Sequence, residues 1–271
     1  MSWIYYICGP TRSGKSTFAL SGVKEGRSVH YHELDTGSYR RANIGLGDLE
    51  KNITLYKYFT PSDALTGEGK LVVTGRGNPM PQLLYDLDGW IETWDQFRKN
   101  YVAGFKEEGY VVLDTESMLW LIVRNAVTEL MQTVTDKDVL GRLKFSEPNN
   151  RMLSVVKYAK DKDVDLVMTA HEKEQWVGNE PTGLLIPDGW SHMSDEADIV
   201  LNFKVENKKP VATVSKSAAA GLEVVGMKIV EPTMQIMSEF IVAARGLKEE
   251  EIPVPDSYDK LISTAKAAKI I

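Results

Sequence analysis

The residues best equipped for chemistry stand near the start of the chain, in the run Gly9-Pro10-Thr11-Arg12-Ser13-Gly14-Lys15-Ser16-Thr17. Two glycines five positions apart let the backbone wrap closely, so that successive N–H groups converge on an anion. The lysine directly after the second glycine adds a full positive charge, and the Ser16 hydroxyl is a hard oxygen donor of the kind Mg²⁺ prefers. The spacing matches the P-loop pattern at every required position. It predicts a nucleoside triphosphate held by Gly9 to Thr17, with Lys15 on the β- and γ-phosphates and Ser16 on the metal. The context agrees: the apolar run Trp3 to Cys8 reads as a strand leading into the loop, and Lys15 to Lys24 reads as a helix after it. That helix would direct its positive N-terminal end at the phosphates.

A P-loop needs a second acid at the end of a neighbouring strand to hold the water shell of the metal. Tyr110-Val111-Val112-Leu113-Asp114 supplies one, a short apolar strand ending in a carboxylate. Its end falls on the edge where such sheets bind ligands, and Asp114 is also placed to cap the helix that follows. Hydrolysis further requires a group that orients the attacking water. Glu116 is one candidate, the Glu33/Asp35 end of the second strand is another, and either acid also reads as a cap or a surface charge. Val164 to Thr169, followed by Ala170-His171-Glu172, is a further apolar strand ending in polar groups. His171 there would sense the γ-phosphate, or simply close the strand through a local hydrogen bond. His30 and His32 share a strand face with no third ligand nearby, so a metal site from them is not expected. Trp176 and Trp190 bracket a Gly/Pro-containing loop, as stacking platforms for bases or as loop anchors.

These positions need a scaffold. Short β-branched or aromatic runs alternate with longer helical stretches, which predicts an α/β fold with a mostly parallel sheet covered on both faces. Strands are expected at Ser28 to Leu34 and Ile53 to Tyr58, and an irregular insertion at Thr60 to Pro81. Helices are expected over Gln82 to Glu107, Met118 to Thr133 and Asn149 to Lys160. Beyond Ala197, the segments Ile199 to Val205, Val211 to Ser215, Val224 to Val230 and Met234 to Val242 read as antiparallel strands. A last helix, Ser257 to Lys269, carries Tyr258, Leu261, Ile262 and Ala265 on one face. We divide the chain into a core of residues 1–245 and a C-terminal helical tail of residues 246–271.

The 271 residues suffice for one large α/β domain. No apolar run nears the roughly 20 residues of a membrane helix, and the opening strand is too short for a signal peptide, so the expectation is a cytoplasmic protein with no membrane partner. The single cysteine, Cys8, excludes an internal disulfide and reads as a buried thiol. A net charge of -6 argues against a surface that coats nucleic acid throughout, while leaving room for a local basic loop.

Taken together, these residues resemble the RecA-like ATPase core, and in particular the small phage-encoded NTP-binding proteins built on it, some of which are single-strand annealing recombinases. The resemblance spans roughly Trp3 to Gly221. It rests on Gly9 to Thr17, Leu34-Asp35-Thr36-Gly37, the strand to Asp114, Thr169 to Glu172, the helix entry Pro148 to Met152 and the strand start at Asp198. It implies ATP and Mg²⁺ as cofactors, ATP hydrolysis, and rings or filaments in which one subunit completes the site of the next. It also implies two loops facing single-stranded DNA, one with Arg142, Lys144 and Phe145 and one from Glu174 to Ser191. A basic residue acting on the neighbouring subunit would come from Lys208, Lys209 or Lys216. The chain departs from the RecA type where the second strand would end Asp-x-Glu: here Asp35-Thr36-Gly37 lacks the glutamate, while Asp114-Thr115-Glu116 carries an extra acid.

Two other classes compete with a nucleic-acid ATPase acting in phage-type recombination or replication. A P-loop kinase for small molecules would carry an arginine-rich lid, and residues 147–151 offer only Arg151, with Arg124 and Arg142 isolated. A nucleotide-gated assembly protein with little turnover would tolerate the missing second-strand glutamate.

Overall fold

The computed structural model describes residues 2–35, 37–58, 70–72, 82–84, 89–105, 109–134, 136, 139, 141, 143–144, 146–219, 224–247 and 258–271. Its strands are β1 (Ile4–Cys8), β2 (Val29–Glu33), β3 (Ile53–Lys57), β4 (Lys70–Val72), β5 (Gln82–Leu84), β6 (Tyr110–Asp114), β7 (Leu166–Val177), β8 (Glu180–Asp188), β9 (Ile199–Glu206), β10 (Lys209–Ser217) and β11 (Lys228–Val230). Its helices are α1 (Lys15–Ala19), α2 (Ser38–Ala42), α3 (Trp90–Gly104), α4 (Glu116–Gln132), α5 (Glu147–Lys162), α6 (Met193–Glu196), α7 (Met234–Gly246) and α8 (Tyr258–Ala267).

The main sheet runs β11-β10-β9-β1-β7-β6-β2-β3, with β8 paired to β7. The pairs from β9 through β1, β7, β6 and β2 to β3 are all parallel, and β9-β10-β11 is antiparallel. β1, β2 and β6, and β7 as far as Ala170, are buried because helices cover both faces, and period-2 alternation sorts their residues between two cores. Tyr5, Ile7, Tyr110 and Val112 face one core with α1, α7 and α8. Ile4, Tyr6, Cys8, Val111 and Leu113 face the other, with α3, α4 and α5. The fold is the α/β type expected, with its C-terminal antiparallel strands. Leu261, Ile262 and Ala265 of α8 are buried in the first core.

Several segments differ from expectation. Met234 to Val242 is not a strand but the start of α7. Met234, Met237, Phe240, Ile241 and Ala244 recur at helical spacing and are buried, and the Thr233 hydroxyl caps the helix by accepting the Ile236 N–H at 3.2 Å. Glu174 to Ser191 is not simply a loop. Trp176-Val177 and Leu184-Leu185-Ile186 belong to the two arms of a β7–β8 ribbon, whose turn has Gly178 at φ 63°, a left-handed value that suits glycine. The helix after the P-loop is short, since α1 gives way to a 3₁₀ turn at Ser21–Glu25. The helix expected from Gln82 begins at Trp90, and Gln82–Leu84 pairs antiparallel with Lys70–Val72. The rest of the Thr60 to Pro81 insertion lies outside the described residues, as do Thr36, Arg142, Phe145 and Gly221. Of Val224 to Val230, only Lys228–Val230 is extended.

Candidate functional site

β1 delivers the chain to the C-terminal edge of the sheet, where the P-loop turns into α1. Gly9 takes φ 149° and Gly14 φ 101°. A Cβ at Gly9 would sit 2.4 Å from the Phe203 carbonyl oxygen, so the loop's closeness to β9 requires glycine there. Lys15 is buried, and its Nζ donates to the carbonyl oxygens of Gly9 at 2.6 Å and Pro10 at 2.9 Å. Burial holds this ammonium below the ordinary lysine range, and the charges of Asp114 and Glu172 offset part of that shift.

A cavity of about 240 Å³ opens over the loop. Thr11, Arg12, Ser13, Gly14, Lys15, Ser16 and Thr17 line it, together with Asp35, Ser38, Arg41, Ala42, Asp114, Thr115 and His171. The P-loop, Asp114 and the ends of β2 and β7 therefore meet at one place. Asp114 is not on the strand next to β1, where an acid on a neighbouring strand is expected. β7 lies between β1 and β6, and Asp114 reaches the cavity across it. The Asp114 carboxylate accepts hydrogen bonds from the hydroxyls of Thr169 on β7 and Tyr31 on β2. These two donors, from the strands on either side, fix its orientation. Capping of α4 falls to Thr115, whose hydroxyl accepts the Met118 N–H at 3.3 Å, so Asp114 is left to the cavity. Ser16 and Asp114 are hard oxygen donors lining a single cavity, a set that suits Mg²⁺, which keeps several waters and takes few protein ligands.

The three carboxylates considered for the attacking water have separate fates. Glu33 Oε1 accepts the N–H groups of Gly37 and Tyr39, both at 3.0 Å, which spends it on the turn into α2. Glu116 is fully buried on the opposite face of the sheet and is absent from the cavity lining. Its Oε1 accepts the Trp190 N–H at 2.9 Å and its Oε2 accepts the Tyr6 hydroxyl at 3.4 Å. Burial pushes the Glu116 carboxyl up to about 8. Gly189 must be glycine to admit it, because a Cβ there would lie 1.9 Å from Glu116 Oε2. Asp35 alone of the three lines the cavity. Its Oδ2 lies 3.3 Å from His171 Nε2, and the hydrogen bond from that imidazole holds the Asp35 carboxyl below its usual range.

His171 is anchored through its own N–H, which donates to Ser117 Oγ at 3.0 Å. His30 and His32 are buried among aromatic rings, with His32 Nδ1 at 2.7 Å from the Tyr58 hydroxyl. No cluster of three His, Cys, Asp or Glu that could hold a metal occurs among the described residues. Trp190 is buried, with Nε1 donating to Asn149 Oδ1 at 2.7 Å, so it is an anchor; Trp176 is exposed on the β7–β8 ribbon. Lys216 Nζ donates to the carbonyls of Ser194 and Asp195 and is spent on the α6 turn. Cys8 is buried, and burial pushes its thiol up to about 12. Among the described residues no helix is long and apolar enough to cross a membrane. Sequence reasoning missed Tyr31, Ser38 and Arg41. Tyr31 left one signal, a hydroxyl on the second expected strand; Ser38 and Arg41 left none, since only the fold brings α2 to the loop.

No family model matches the chain, and no curated protein matches it. Among solved structures it is similar to a RadB recombinase, at 14% identity over 84% of this chain and 86% of that one, with a TM-score of 0.47. It is also similar to a KaiC-like protein from the hyperthermophilic archaeon Pyrococcus horikoshii OT3, at 14% identity over 79% of this chain and 80% of that one, with a TM-score of 0.36. With both scores below 0.5, the fold rests on the strand order and register described above.

Proposed function

We propose that the chain is a RecA-like, Mg²⁺-dependent ATPase that acts on nucleic acid as an oligomer, in phage-type recombination or replication. The observation that carries the ATPase reading is the meeting of Lys15, Ser16, Asp114 and Asp35 around one cavity at the sheet's C-terminal edge. The N–H groups of Gly9 to Thr17 and the Lys15 ammonium bind the β- and γ-phosphates. Ser16 and Asp114, the latter oriented by Tyr31 and Thr169, would hold the metal. When bound, Mg²⁺ would supply charge neutralisation at the phosphates. Asp35 orients the attacking water and accepts its proton, and His171 holds Asp35 in place. Of the candidates named from the sequence, this takes Asp35 rather than Glu116. Arg41, also in the cavity lining, adds positive charge on the β2 side of the phosphates.

The nucleic-acid part of this reading rests on the sequence resemblance, and Lys144 is the one described member of the basic loop it invokes. A single assay tests the whole. ATP hydrolysis is measured with Mg²⁺ or EDTA, with and without single-stranded DNA, alongside light scattering. Metal-dependent turnover that DNA accelerates, from a species larger than one chain, is the expected result. Phosphate transfer to a small acceptor, or tight binding without turnover, overturns it.

A further inference from the structure

α2 is only five residues long, yet its start is pinned from two sides. Glu33 Oε1 accepts the N–H groups of Gly37 and Tyr39, both at 3.0 Å. Ser38 Oγ lies 3.3 Å from the hydroxyl of Tyr31, which also donates to Asp114. From that start Ser38, Arg41 and Ala42, at i, i+3 and i+4, share one face, and all three line the cavity over the P-loop. Arg40 is absent from that lining. The buried end of β2 thus decides where the Arg41 side chain goes.

A Cβ on Gly37 would lie 3.4 Å from Arg41 Nη1, so the guanidinium folds back over the turn that carries Asp35. It forms no hydrogen bond or ion pair among the described residues. The His171 hydrogen bond holds the Asp35 carboxyl low, and the charge of Arg41 adds to the effect. An arginine offers five N–H donors in a planar fork and keeps its charge. Uncommitted in a cavity with Lys15, it fits an anion with several acceptor oxygens, which the terminal phosphate of a triphosphate supplies. Arg12 also lines the cavity, but it belongs to the loop rather than to the turn that carries Asp35.

The lysines expected to act on a neighbouring subunit are placed differently. Lys216 Nζ donates to the carbonyls of Ser194 at 3.0 Å and Asp195 at 2.7 Å, and Lys209 Nζ lies 2.7 Å from Glu231 Oε2. Two of the three are therefore committed within their own chain, whereas the cavity holds an uncommitted arginine of its own. We propose that Arg41 is a catalytic residue acting within its own chain: it contacts the terminal phosphate and stabilises the charge that develops there during hydrolysis. Each copy then holds a complete site and borrows no cation from a neighbour. The inference rests on the proposed ATPase reading and adds one residue to its step. In that step water attacks the terminal phosphorus, and the new P–O bond forms as the bond to the bridging oxygen breaks. The electron pair of the broken bond leaves with the diphosphate, and the proton of the water passes to Asp35. A guanidinium fork matches the oxygens of the transferred group, as an arginine in cis does in other P-loop enzymes.

Steady-state phosphate release tests it, on variants first checked for native circular dichroism. Arg41→Ala should lose at least about 10²-fold in kcat with the KM for ATP little changed, and Arg41→Lys should recover only part, since a point charge replaces a fork. Arg41→Ala should also bind ADP with Mg²⁺ and aluminium fluoride, a mimic of the phosphoryl group in transfer, at least about tenfold more weakly, with ADP binding unchanged. An equimolar mixture of Arg41→Ala and Lys15→Ala should show no more than the sum of their residual rates. Recovered turnover in that mixture means that the arginine serves a neighbouring copy, and it overturns the proposal. A raised KM at wild-type kcat also overturns it, because Arg41 would then only bind the ground state. So does loss of turnover in Arg12→Ala with none in Arg41→Ala, and so does wild-type kcat in Arg41→Lys, whether or not the alanine variant folds. Wild-type protein that hydrolyses no ATP refutes the ATPase reading itself. Hydrolysis by wild type with no loss in Arg41→Ala refutes the Arg41 assignment alone.

Discussion

Asp114 and Glu116 stand two residues apart and lie in opposite surroundings. The region around Asp114 is a half-open cavity lined by the P-loop, Lys15, Arg41 and the Asp35–His171 pair. The region around Glu116 is closed: its carboxyl accepts from Trp190 and Tyr6, and a glycine leaves just room for it. Between them the chain passes from strand to helix, and the Asp114–Thr115 peptide is cis. Asp114 ends on the face of Tyr31 and the P-loop, whereas Glu116 ends on the face of Tyr6 and Trp190. An acid's chemistry here follows from the side of the sheet it reaches, not from its distance along the chain. One region is equipped to bind a charged ligand. The other holds the base of the β7–β8 ribbon to the start of α4.

The sharpest break of this comparison is at Lys15. Lys15→Ala should lower ATP turnover by about 10²–10³-fold, the scale of losing one preorganised donor to a developing anion. The fold should survive, since the side chain's bonds go only to Gly9 and Pro10 carbonyls. Steady-state phosphate release beside a thermal melt reads both, and wild-type turnover in folded protein would refute the P-loop assignment.

Next comes the contrast of acids. Asp35→Asn should cost about 10²-fold in turnover at unchanged ATP affinity, within the range for a positioned general base. Glu116→Gln should turn over like wild type. The reverse ranking in the same kinetic assay would return the water to Glu116 and undo the contrast.

Asp114→Asn should lower turnover by about 10–100-fold, as outer-shell partners of a metal do. The loss should shrink as Mg²⁺ is raised, because the loop still binds the phosphates. A Mg²⁺ titration with no shift in its midpoint would remove Asp114 from the metal.

The last effect is on stability rather than turnover. Glu116 has a folded pKa of about 8, above its unfolded value near 4.5, so the folded state binds the extra proton between those limits. Its contribution is fully present below about pH 4.5 and is lost as pH rises toward 8, at up to about 1.4 kcal/mol per pH unit. Urea unfolding at pH 5 and pH 8 should show the loss in wild type and a smaller one in Glu116→Gln. Equal slopes in the two proteins would place the Glu116 proton elsewhere.

The P-loop pattern could be read in full because it is local. Phosphate binding by consecutive N–H groups needs glycines and a lysine at set intervals, and a few residues contain all of it. β1 and β6 were legible for a similar reason, as strands buried on both faces read as near-continuous apolar runs. Met234 to Val242 misled because a short apolar run suits a strand or a buried helix equally until its partners are known. Glu174 to Ser191 misled in the other direction, since its glycines and prolines resemble a loop while its two arms pair as strands.

What the sequence determined alone was the Gly9–Thr17 loop, the strand ending in Asp114 and the class of sheet that must carry them. Tertiary structure decided which carboxylate shares their cavity. It interposed β7 between β1 and β6, spent Glu33 on the turn into α2, turned Glu116 away and brought Asp35 and His171 together. No spacing rule encodes these outcomes, because each depends on which strands become neighbours and which face of the sheet a side chain meets. That is settled only when the two cores pack.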